Sequence, residues 1–386
     1  NLLNKTKPWG AFLYPDYRLL WLTLIGGSIV VWMRILGTAQ WLLDETGSAY
    51  LVGLIGVVQL FVQVPMTLWA GTLADRVDRK RLMSLGQALT SIALLTLGFL
   101  NWQGLLTPLL VYIGIAITAG THMLASPARS ALIPIVIPKH ELMLASSTDT
   151  ASSNAAAIAG PLIFAVIAVS FGLTAVFFVA GSIALASSLL PLIVSAKGTA
   201  DDHDSEDMKK PSQIQQTKDG FKFVSNHPIL PGLFLLDVGI TTASFYREIL
   251  PVLALGLFAG GASATGFLGA ANSAGAIFGS LIALFLVGFR AKGMLVLYAS
   301  FAYGFFLFGF GLATTLWFGI MMIALLGAAD AVTVAVRQTT VMLTTPDHMR
   351  GRSFALMILA AQTANNVGTI WVGTWAGLIG ASNTMV

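Results

Sequence analysis

Cysteine is absent from the 386-residue sequence, and charged residues are scarce. Without cysteine the chain can form neither a disulfide nor a thiolate metal site. Charged residues make up only 10% of the sequence and hydrophobic residues 56%, whereas a soluble globular protein has about 25% charged residues. This chain has too little polar material to cover a surface that faces water. Its apolar stretches are about 20 residues long, enough to cross the ~30 Å hydrocarbon core of a bilayer as helices. The composition therefore predicts an all-α membrane protein with many spans.

A polar stretch divides the apolar segments into two groups. Residues 196–227, "AKGTADDHDSEDMKKPSQIQQTKDGFKFVSNH", are dense in charge and nearly free of aliphatic side chains, which is typical of a solvent-exposed linker. A short surface helix is expected near 212–225. We predict an N-terminal six-helix bundle over 1–195, a linker over 196–227, and a C-terminal bundle over 228–386 with five visible spans. The eleven apolar segments lie at 19–43, 50–74, 82–101, 105–126, 143–169, 172–195, 229–257, 263–287, 293–312, 315–338 and 352–380.

The positive charges predict the orientation in the membrane. If every segment spans, 19 of the 21 Lys and Arg residues fall on the same side. The other two are Arg34, inside segment one, and Arg247, near the end of segment seven. Lys and Arg accumulate in cytoplasmic loops. We therefore expect the N-terminus, the loop at 71–81 and the 196–227 linker to be cytoplasmic.

Several landmarks recur at one spacing along the chain. "RSALIPIVIPKHEL", which begins at Arg129, and "RQTTVMLTTPDHMR", which begins at Arg337, both place a proline nine residues after the arginine. The offset between the two stretches is 208 residues, and the same offset relates Gly71 to Gly279. Three landmarks at one offset indicate an internal duplication of six spans per half. Such duplications are typical of transporters that bind their substrate between the two halves, near the middle of the membrane.

The loop between segments two and three, "GTLADRVDRKR", concentrates six charged residues in eleven positions. It resembles the signature of the major facilitator superfamily, G-x-L-a-D-R-x-G-R-[RK]. The resemblance implies a gating loop whose contacts hold one conformation and release in the other. The alternative is a plain positively charged loop without a gating role. The matching positions are Gly71, Leu73, Ala74, Asp75, Arg76, Arg79 and Lys80, whereas Asp78 stands where many members have glycine.

Within that superfamily the chain is most similar to the enterobactin-exporter group of bacterial exporters. The similar stretches include "YPDYRLLWL", "ASPARSALIP", "FVSNHPIL" and "RQTTVMLTTPDHMRGRSFAL". The resemblance implies the major facilitator fold, with two pseudo-symmetric six-helix bundles around a central cavity. It also implies a twelfth helix beyond Val386 and a location in the cytoplasmic (inner) membrane of a bacterium. The chain departs from the drug–proton antiporters of the superfamily because Gly160–Pro161 is not followed by the glycine pair that is typical of them.

Arg34 is the least expected charge, because it lies in the middle of the first apolar segment. A charge at the bilayer centre costs at least about 2.5–3.5 kcal/mol on insertion scales, so embedded charges usually face a cavity or a partner. Two interpretations remain open for Arg34. It binds an anionic substrate, or it is a structural partner of a carboxylate such as Asp149, Asp237 or Asp330.

Four embedded carboxylates are candidates for proton coupling: Asp149, Asp237, Glu248 and Asp330. Asp149 lies near the loop end of segment five, where it is either a proton carrier or a helix-end residue that faces water. Asp330 lies seven residues before Arg337, two helical turns away on the same face. Structural roles remain open for these residues. Arg129 and Arg337 are the candidate cytoplasmic latch.

Further polar and aromatic residues are predicted to line the substrate cavity, although packing and interfacial anchoring are the alternatives for His122 and the aromatic residues. "AAQTANNVGT" is unusually polar for a span, which indicates a face of segment eleven toward water. Together with Arg34, the candidates for the cavity are Trp32, Gln40, His122, Asn154, Tyr246, Asn272, Gln362, Asn365 and Asn366.

No enzymatic constellation is evident in the sequence. The glycine-rich "GLFAGGASATGFLGAANSAG" lacks the G-K-[ST] of a phosphate-binding loop, and no metal-ligand spacing appears, so we predict neither a cofactor nor an enzyme. The net charge of +4 does not require a nucleic-acid partner.

We predict a secondary active exporter that exchanges protons for an amphipathic small molecule of the size of a siderophore, a drug or a lipid. A lysolipid flippase would differ only in its substrate. The alternative from another class is a non-transporting assembly factor or structural subunit of a larger membrane complex. Membrane lipids, a small-molecule substrate and protons are the expected partners, and the chain acts either as a monomer or as such a subunit.

Overall fold

The computed structural model describes residues 10–195, 213–286 and 292–386, and these residues are almost entirely helical. The N-terminus and residues 196–212, both predicted to be cytoplasmic, lie outside the described part. Short 3-10 turns occur at Gly10–Leu13, Lys139–Glu141 and Arg247–Ile249. The α-helices are α1 Pro15–Thr46, α2 Ala49–Arg76, α3 Arg79–Trp102, α4 Pro108–Val136, α5 Leu142–Ile193, α6 Gln213–Asn226, α7 Leu230–Ser244, α8 Leu250–Phe258, α9 Ala262–Phe285, α10 Lys292–Gly311, α11 Leu316–Thr344, α12 Asp347–Ile379 and α13 Ala381–Met385.

Most of the predicted apolar segments coincide with helices, although α4 continues to Val136, well beyond the predicted end at 126. In the described part of the chain, nine helical stretches are long and apolar enough to cross a membrane. The 52-residue α5 counts once among them, although Gly172 breaks it with a left-handed φ of 80°. That break falls at the predicted boundary between segments five and six. The predicted surface helix is confirmed as α6, whereas the twelfth span stays a prediction.

Segment seven is the main departure from the predicted helices. The sequence was read as one span over 229–257, but the helix stops at Ser244 and resumes at Leu250. Phe245 has the extended conformation, and a short 3-10 turn follows. Pro251 at the start of α8 has no backbone N–H to donate to the preceding turn, which favours a helix start there. The interruption gives Tyr246 and Arg247 positions that a continuous helix would not provide.

Helices α4 and α11 support the predicted duplication most directly. Both have 29 residues, and their first residues, Pro108 and Leu316, are separated by the same 208 residues as the sequence landmarks. His122 and Asp330 are therefore equivalent, and each lies at the middle of its helix. Arg129 and Arg337 follow seven residues later in each helix.

The described residues form two compact units. The first unit comprises the described residues up to Arg34, then Pro65–Gly160, and then Phe171 to residue 195. The second unit comprises Ile35–Val64, Pro161–Ser170 and the described residues after Pro211. The units do not divide at the linker, since the last part of α1, the first part of α2 and a stretch in the middle of α5 belong to the second unit. The division into bundles at 1–195 and 228–386 follows from topology and stays a prediction.

Small residues allow α9 and α11 to approach closely within the second unit. A Cβ at Gly275 would meet the carbonyl oxygen of Ala324, and a Cβ at Gly279 would meet that of Ala328. Helices in membranes associate through such small-residue contacts, because lipid tails are as apolar as leucine and give no hydrophobic driving force.

We expect Gly279→Ala to destabilise the protein by about 1–3 kcal/mol, the usual cost of overpacking a tight contact. Thermal unfolding in detergent micelles measures the change. Gly304→Ala in α10 is the matched control, because a Cβ there would meet nothing within 4 Å. Equal midpoints for the two variants would contradict the close contact.

The linker helix α6 is docked on the first turns of α12. Asp219 Oδ2 accepts a hydrogen bond from Arg352 Nη1 at 3.2 Å, and a Cβ at Gly220 would lie 3.0 Å from the carbonyl oxygen of Arg352. Both charged side chains are about one third exposed. An ion pair this exposed contributes at most about 1 kcal/mol, so these two residues offer conservative positions for control substitutions.

Candidate functional site

The second unit encloses a charged cavity of about 200 Å³. Its walls come from α7, the turn before α8, α9, α10, α11 and α12. The polar residues that line it are Asp237, Thr241, Tyr246, Arg247, Asn272, Ser300, Tyr303, Asp330, Thr333, Arg337 and Asn365.

An ion pair closes one side of this cavity. The Arg337 guanidinium contacts the Asp237 carboxylate, and the two side chains are 7% and 14% exposed. Asp330 lies two turns from Arg337 on α11 and lines the same cavity, as the spacing predicted. Asp330 is exposed to this internal space although it lies at the helix centre. Arg247, at the break in segment seven, is the second arginine of the cavity wall.

Two tyrosines of the cavity wall take part in short side-chain networks. The Tyr246 hydroxyl accepts a hydrogen bond from the Asn272 amide. The Ser244 hydroxyl donates to the Tyr303 hydroxyl at 3.0 Å. Both tyrosines are 9% exposed, so their hydroxyl groups are held in place beside Asp330. The cavity thus combines two carboxylates, two guanidinium groups and hydroxyl groups that can pass protons.

The first unit contains a cleft with two adjacent chambers that share lining residues. Gly27, Val31, Gln87, His122 and Ala125 line both of them. The inner chamber, of about 30 Å³, includes Arg34. The outer chamber, of about 240 Å³, includes Trp32 and Arg129. The structure therefore brings together three of the predicted cavity residues, Arg34, Trp32 and His122.

Asp149 and Asp237 each pair with another arginine, and both interpretations of Arg34 stay predictions. Asp149 accepts a hydrogen bond from Arg129 Nη2 at 2.8 Å and another from the Tyr17 hydroxyl at 3.0 Å, while Asp237 pairs with Arg337. The Asp149 side chain is 13% exposed and lines a groove of the first unit, and both interpretations of its role stay predictions. Each candidate latch arginine therefore holds a carboxylate within its own unit.

The remaining candidates lie apart from these two spaces or at their edges. The Gln40 amide donates to Asp44 at 2.8 Å, and its carbonyl oxygen accepts from Thr265 at 3.1 Å. Glu248 Oε2 accepts a 3.4 Å hydrogen bond from Thr369, so it has a partner other than its neighbour Arg247.

The polar stretch of α12 contributes unevenly to the site. Asn366 is 2% exposed and donates to Gln63 at 3.1 Å, whereas Asn365 lines the charged cavity. Gln362 is half-buried. Asn154, on α5, lies in a shallow groove beside Arg129 and Asp149.

The gating loop is described only in part. The backbone of Gly71, Asp75 and Arg76 belongs to α2, but the side chains of Asp75 and Arg76 lie outside the described part. Arg79 donates to the carbonyl oxygen of Ala131 at 3.4 Å, and Lys80 Nζ donates to that of Val194 at 2.9 Å.

The structure explains Asp78, which stands where the motif usually has glycine. Its carboxylate accepts from the backbone N–H groups of Lys80 and Arg81 at 2.9 and 3.1 Å and so caps the start of α3. An aspartate cap typically stabilises a helix by about 1 kcal/mol. Aspartate at this position therefore preserves the turn and caps the N-terminus of α3.

Sequence reasoning missed Tyr303, Ser300 and Gln87. A signal for Tyr303 was present, because tyrosines usually lie at the ends of spans and this one lies well inside α10. Ser300 and Gln87 gave no comparable signal, since single small or polar residues also occur at packed helix contacts. Among the described residues, no three His, Asp or Glu side chains are grouped closely enough to hold a metal ion.

Long apolar helices in duplicated halves, with charges held in cavities at mid-helix, define a membrane transport protein of many spans. Residues 6–386 match the family described as "Transmembrane secretion effector", a family of the major facilitator superfamily. The chain therefore belongs to this family, and the predicted superfamily and fold class are confirmed.

Curated relatives share this membership at low identity. The "Enterobactin exporter EntS" of Shigella boydii serotype 4 is 26% identical over 381 residues, which cover 96% of this chain and 86% of the relative. The protein of the same name from Citrobacter koseri is 24% identical, with the same coverage. Both of these relatives are named as exporters.

Solved structures of other transporters have a similar fold. A bacterial homolog of the human lysosomal transporter Spinster superposes with a TM-score of 0.75 at 16% identity, over 94% of this chain and 83% of that one. The nucleoside transporter NupG gives 0.74 at 13% identity, over 96% and 95%. At these identities the similarity concerns the fold alone.

Proposed function

We propose that the chain is a proton-coupled exporter that moves an amphipathic small molecule out of the bacterial cytoplasm by alternating access. Protons enter from outside and the substrate leaves, while two six-helix bundles, 1–195 and 228–386, expose a cavity to each side in turn. The observation that carries this proposal is the charged cavity of the second unit. There a mid-helix carboxylate, Asp330, faces an internal space beside the ion pair of Asp237 with Arg337.

The charges of this cavity are suited to coupling. An embedded carboxylate that can be charged or neutral typically marks a proton relay. The cavity holds two carboxylates, one of which is Asp330, and two guanidinium groups. Protonation of Asp330 removes one of the cavity's two negative charges. That change alters the balance among the side chains of five helices, which supports a conformational switch driven by protons.

The orientation and the gating roles belong to the same proposal. The positive-inside distribution of Lys and Arg supports a cytoplasmic N-terminus and linker. Arg79 and Lys80 join the turn before α3 to the ends of α4 and α5 within the first unit. Arg129 and Arg337 lie toward the same predicted cytoplasmic side, where their carboxylate pairs are placed to open or close with the conformational cycle.

Proton release from liposomes tests the function. Purified chain is reconstituted into liposomes that have an acidic lumen and contain a trapped pH-sensitive dye. In molecules inserted inside-out, substrate entry is exchanged for proton exit, so addition of a substrate should raise the luminal pH. The test compounds are enterobactin, after the name of the relatives, a lysophospholipid and the organic anion 1-anilinonaphthalene-8-sulfonate.

Empty liposomes and liposomes treated with a protonophore are the controls. A rise in luminal pH that needs both the chain and the compound supports proton-coupled export. If none of the three compounds changes the luminal pH more than in empty liposomes, the proposal of proton-coupled export is contradicted.

A further inference from the structure

The two halves of the chain differ in chemistry at one duplicated position. His122 and Asp330 lie 208 residues apart, each 14 residues from both ends of its helix. That distance corresponds to about 21 Å of helix rise. Both side chains are nevertheless exposed, and both line an internal space of their own unit. The same place in the fold therefore presents an imidazole in the first half and a carboxylic acid in the second.

The cleft around His122 presents positive charge and polar side chains. Arg34 and His122 share its inner chamber with the hydroxyl groups of Thr90 and Thr121. Arg129, which is paired with Asp149, adds a second guanidinium to the outer chamber. Among the described residues that line the two chambers there is no Asp or Glu. The charged cavity of the second unit, in contrast, balances two aspartates against two arginines.

The outer chamber adds an apolar wall to this positive cleft. Leu24, Val31 and Met83 line it together with the indole of Trp32. Gly160 lets α5 approach this indole, since a Cβ there would lie 2.7 Å from the Cβ of Trp32. Apolar and aromatic walls with a few convergent polar groups are the usual composition of a small-molecule site.

We propose that this cleft binds the anionic group of the transported molecule, so that the substrate is an amphipathic organic anion. The guanidinium of Arg34 and the imidazole of His122 hold carboxylate, sulfonate or phosphate oxygens, for which arginine offers a planar set of donors. Trp32 and the aliphatic wall contact the apolar body. The inference rests on the proposed function only in that the bound molecule is also the transported one.

A matched pair of dyes tests the charge requirement. 1-Anilinonaphthalene-8-sulfonate carries a sulfonate, whereas N-phenyl-1-naphthylamine has the same rings without it. Fluorescence titration of the purified chain in nanodiscs, corrected for empty nanodiscs, gives the affinity for each dye. Loss of one charge-assisted contact corresponds to about tenfold in affinity. We therefore expect Arg34→Gln to weaken binding of the anionic dye by about tenfold or more and to leave the neutral dye within about twofold.

Companion variants separate charge from packing. Arg34→Lys should keep most of the affinity for the anionic dye, and His122→Gln should lower it without affecting the neutral dye. Arg352→Gln, the same substitution at the linker helix, should bind both dyes like the parent.

Any of three results would overturn the proposal. The parent could bind the two dyes with equal affinity, Arg34→Gln could bind the anionic dye as tightly as the parent does, or Arg34→Gln could lose affinity for both dyes equally. If Arg34→Gln does not fold, His122→Gln decides by the same criteria.

The binding experiment and the liposome experiment fail separately. Suppose that Arg34→Gln loses affinity for the anionic dye only, and that no compound causes proton release by the parent. The anion site is then supported, and proton-coupled export is contradicted. If the parent releases protons but Arg34→Gln binds the anionic dye as tightly as the parent does, proton-coupled export is supported and the anion site is contradicted.

Discussion

Asparagine at position 330 is expected to reduce substrate-dependent proton release from liposomes by at least about tenfold. The carboxylate faces the charged cavity from the centre of α11, where it can take up and release a proton during the cycle. An amide of almost the same size keeps the packing but cannot titrate. Embedded ionisable groups of this kind typically carry protons in pumps and transporters.

Substrate exchange without a proton gradient distinguishes coupling from structure. Preloaded liposomes should exchange labelled for unlabelled substrate at nearly the parent rate in Asp330→Asn, because exchange needs no net proton movement. Asp330→Glu should retain part of the proton release, since it keeps a carboxyl group.

Asp219→Asn is the matched control for this substitution. Asp219 lies on the linker helix, is partly exposed and pairs with Arg352, and neither residue lines the cavity. It should release protons like the parent. Proton release by Asp330→Asn at the rate of this control would remove Asp330 from the coupling mechanism, and loss of exchange together with proton release would assign it a structural role.

The helices of this protein follow closely from its sequence. Apolar runs of about 20 residues have few stable alternatives to helices in a bilayer, because every backbone polar group must be satisfied within the segment. The duplication could also be predicted, since α4 and α11 keep their length and the spacing from His122 to Arg129 equals that from Asp330 to Arg337. The local pattern of apolar residues was therefore sufficient to predict the helices.

The partners of the embedded charges did not follow from the sequence. Several carboxylates lie at suitable depths, and the choice among them depends on which helices are neighbours. Asp149 pairs with Arg129, twenty residues away, while Asp237 pairs with Arg337, one hundred residues away. Helical spacing relates residues on one helix, but it does not show which helices pack together.

The break after Ser244 is a second feature that only the structure gives. Its physical signals, Arg247 and Glu248 followed by Pro251, were present in the sequence. Hydropathy over a long window nevertheless favours one continuous span there. The interruption places Tyr246, which the sequence predicted for the cavity, and Arg247, which it did not, in the cavity wall.

Breaking the ion pair of Asp237 with Arg337 is expected to have the largest effect on stability. Asp237→Asn leaves a guanidinium that is 7% exposed without its carboxylate. Removal of one partner of a buried pair costs about 3–5 kcal/mol, because the remaining charge is uncompensated. Arg337→Gln should destabilise the protein similarly by leaving Asp237 charged. Thermal unfolding in detergent micelles, with Asp219→Asn as the control, measures both changes.

The double variant Asp237→Asn with Arg337→Gln should recover more than half of that loss. It buries two neutral amides instead of one unpaired charge, and replacing both partners of a buried pair is often nearly neutral. A double variant as unstable as the two single losses added together would mean that the two residues act independently, and the ion pair would then not hold α7 against α11. Recovery of stability without recovery of proton release would instead separate the two roles of the pair, since the packing would be restored while the charge balance around Asp330 would remain changed.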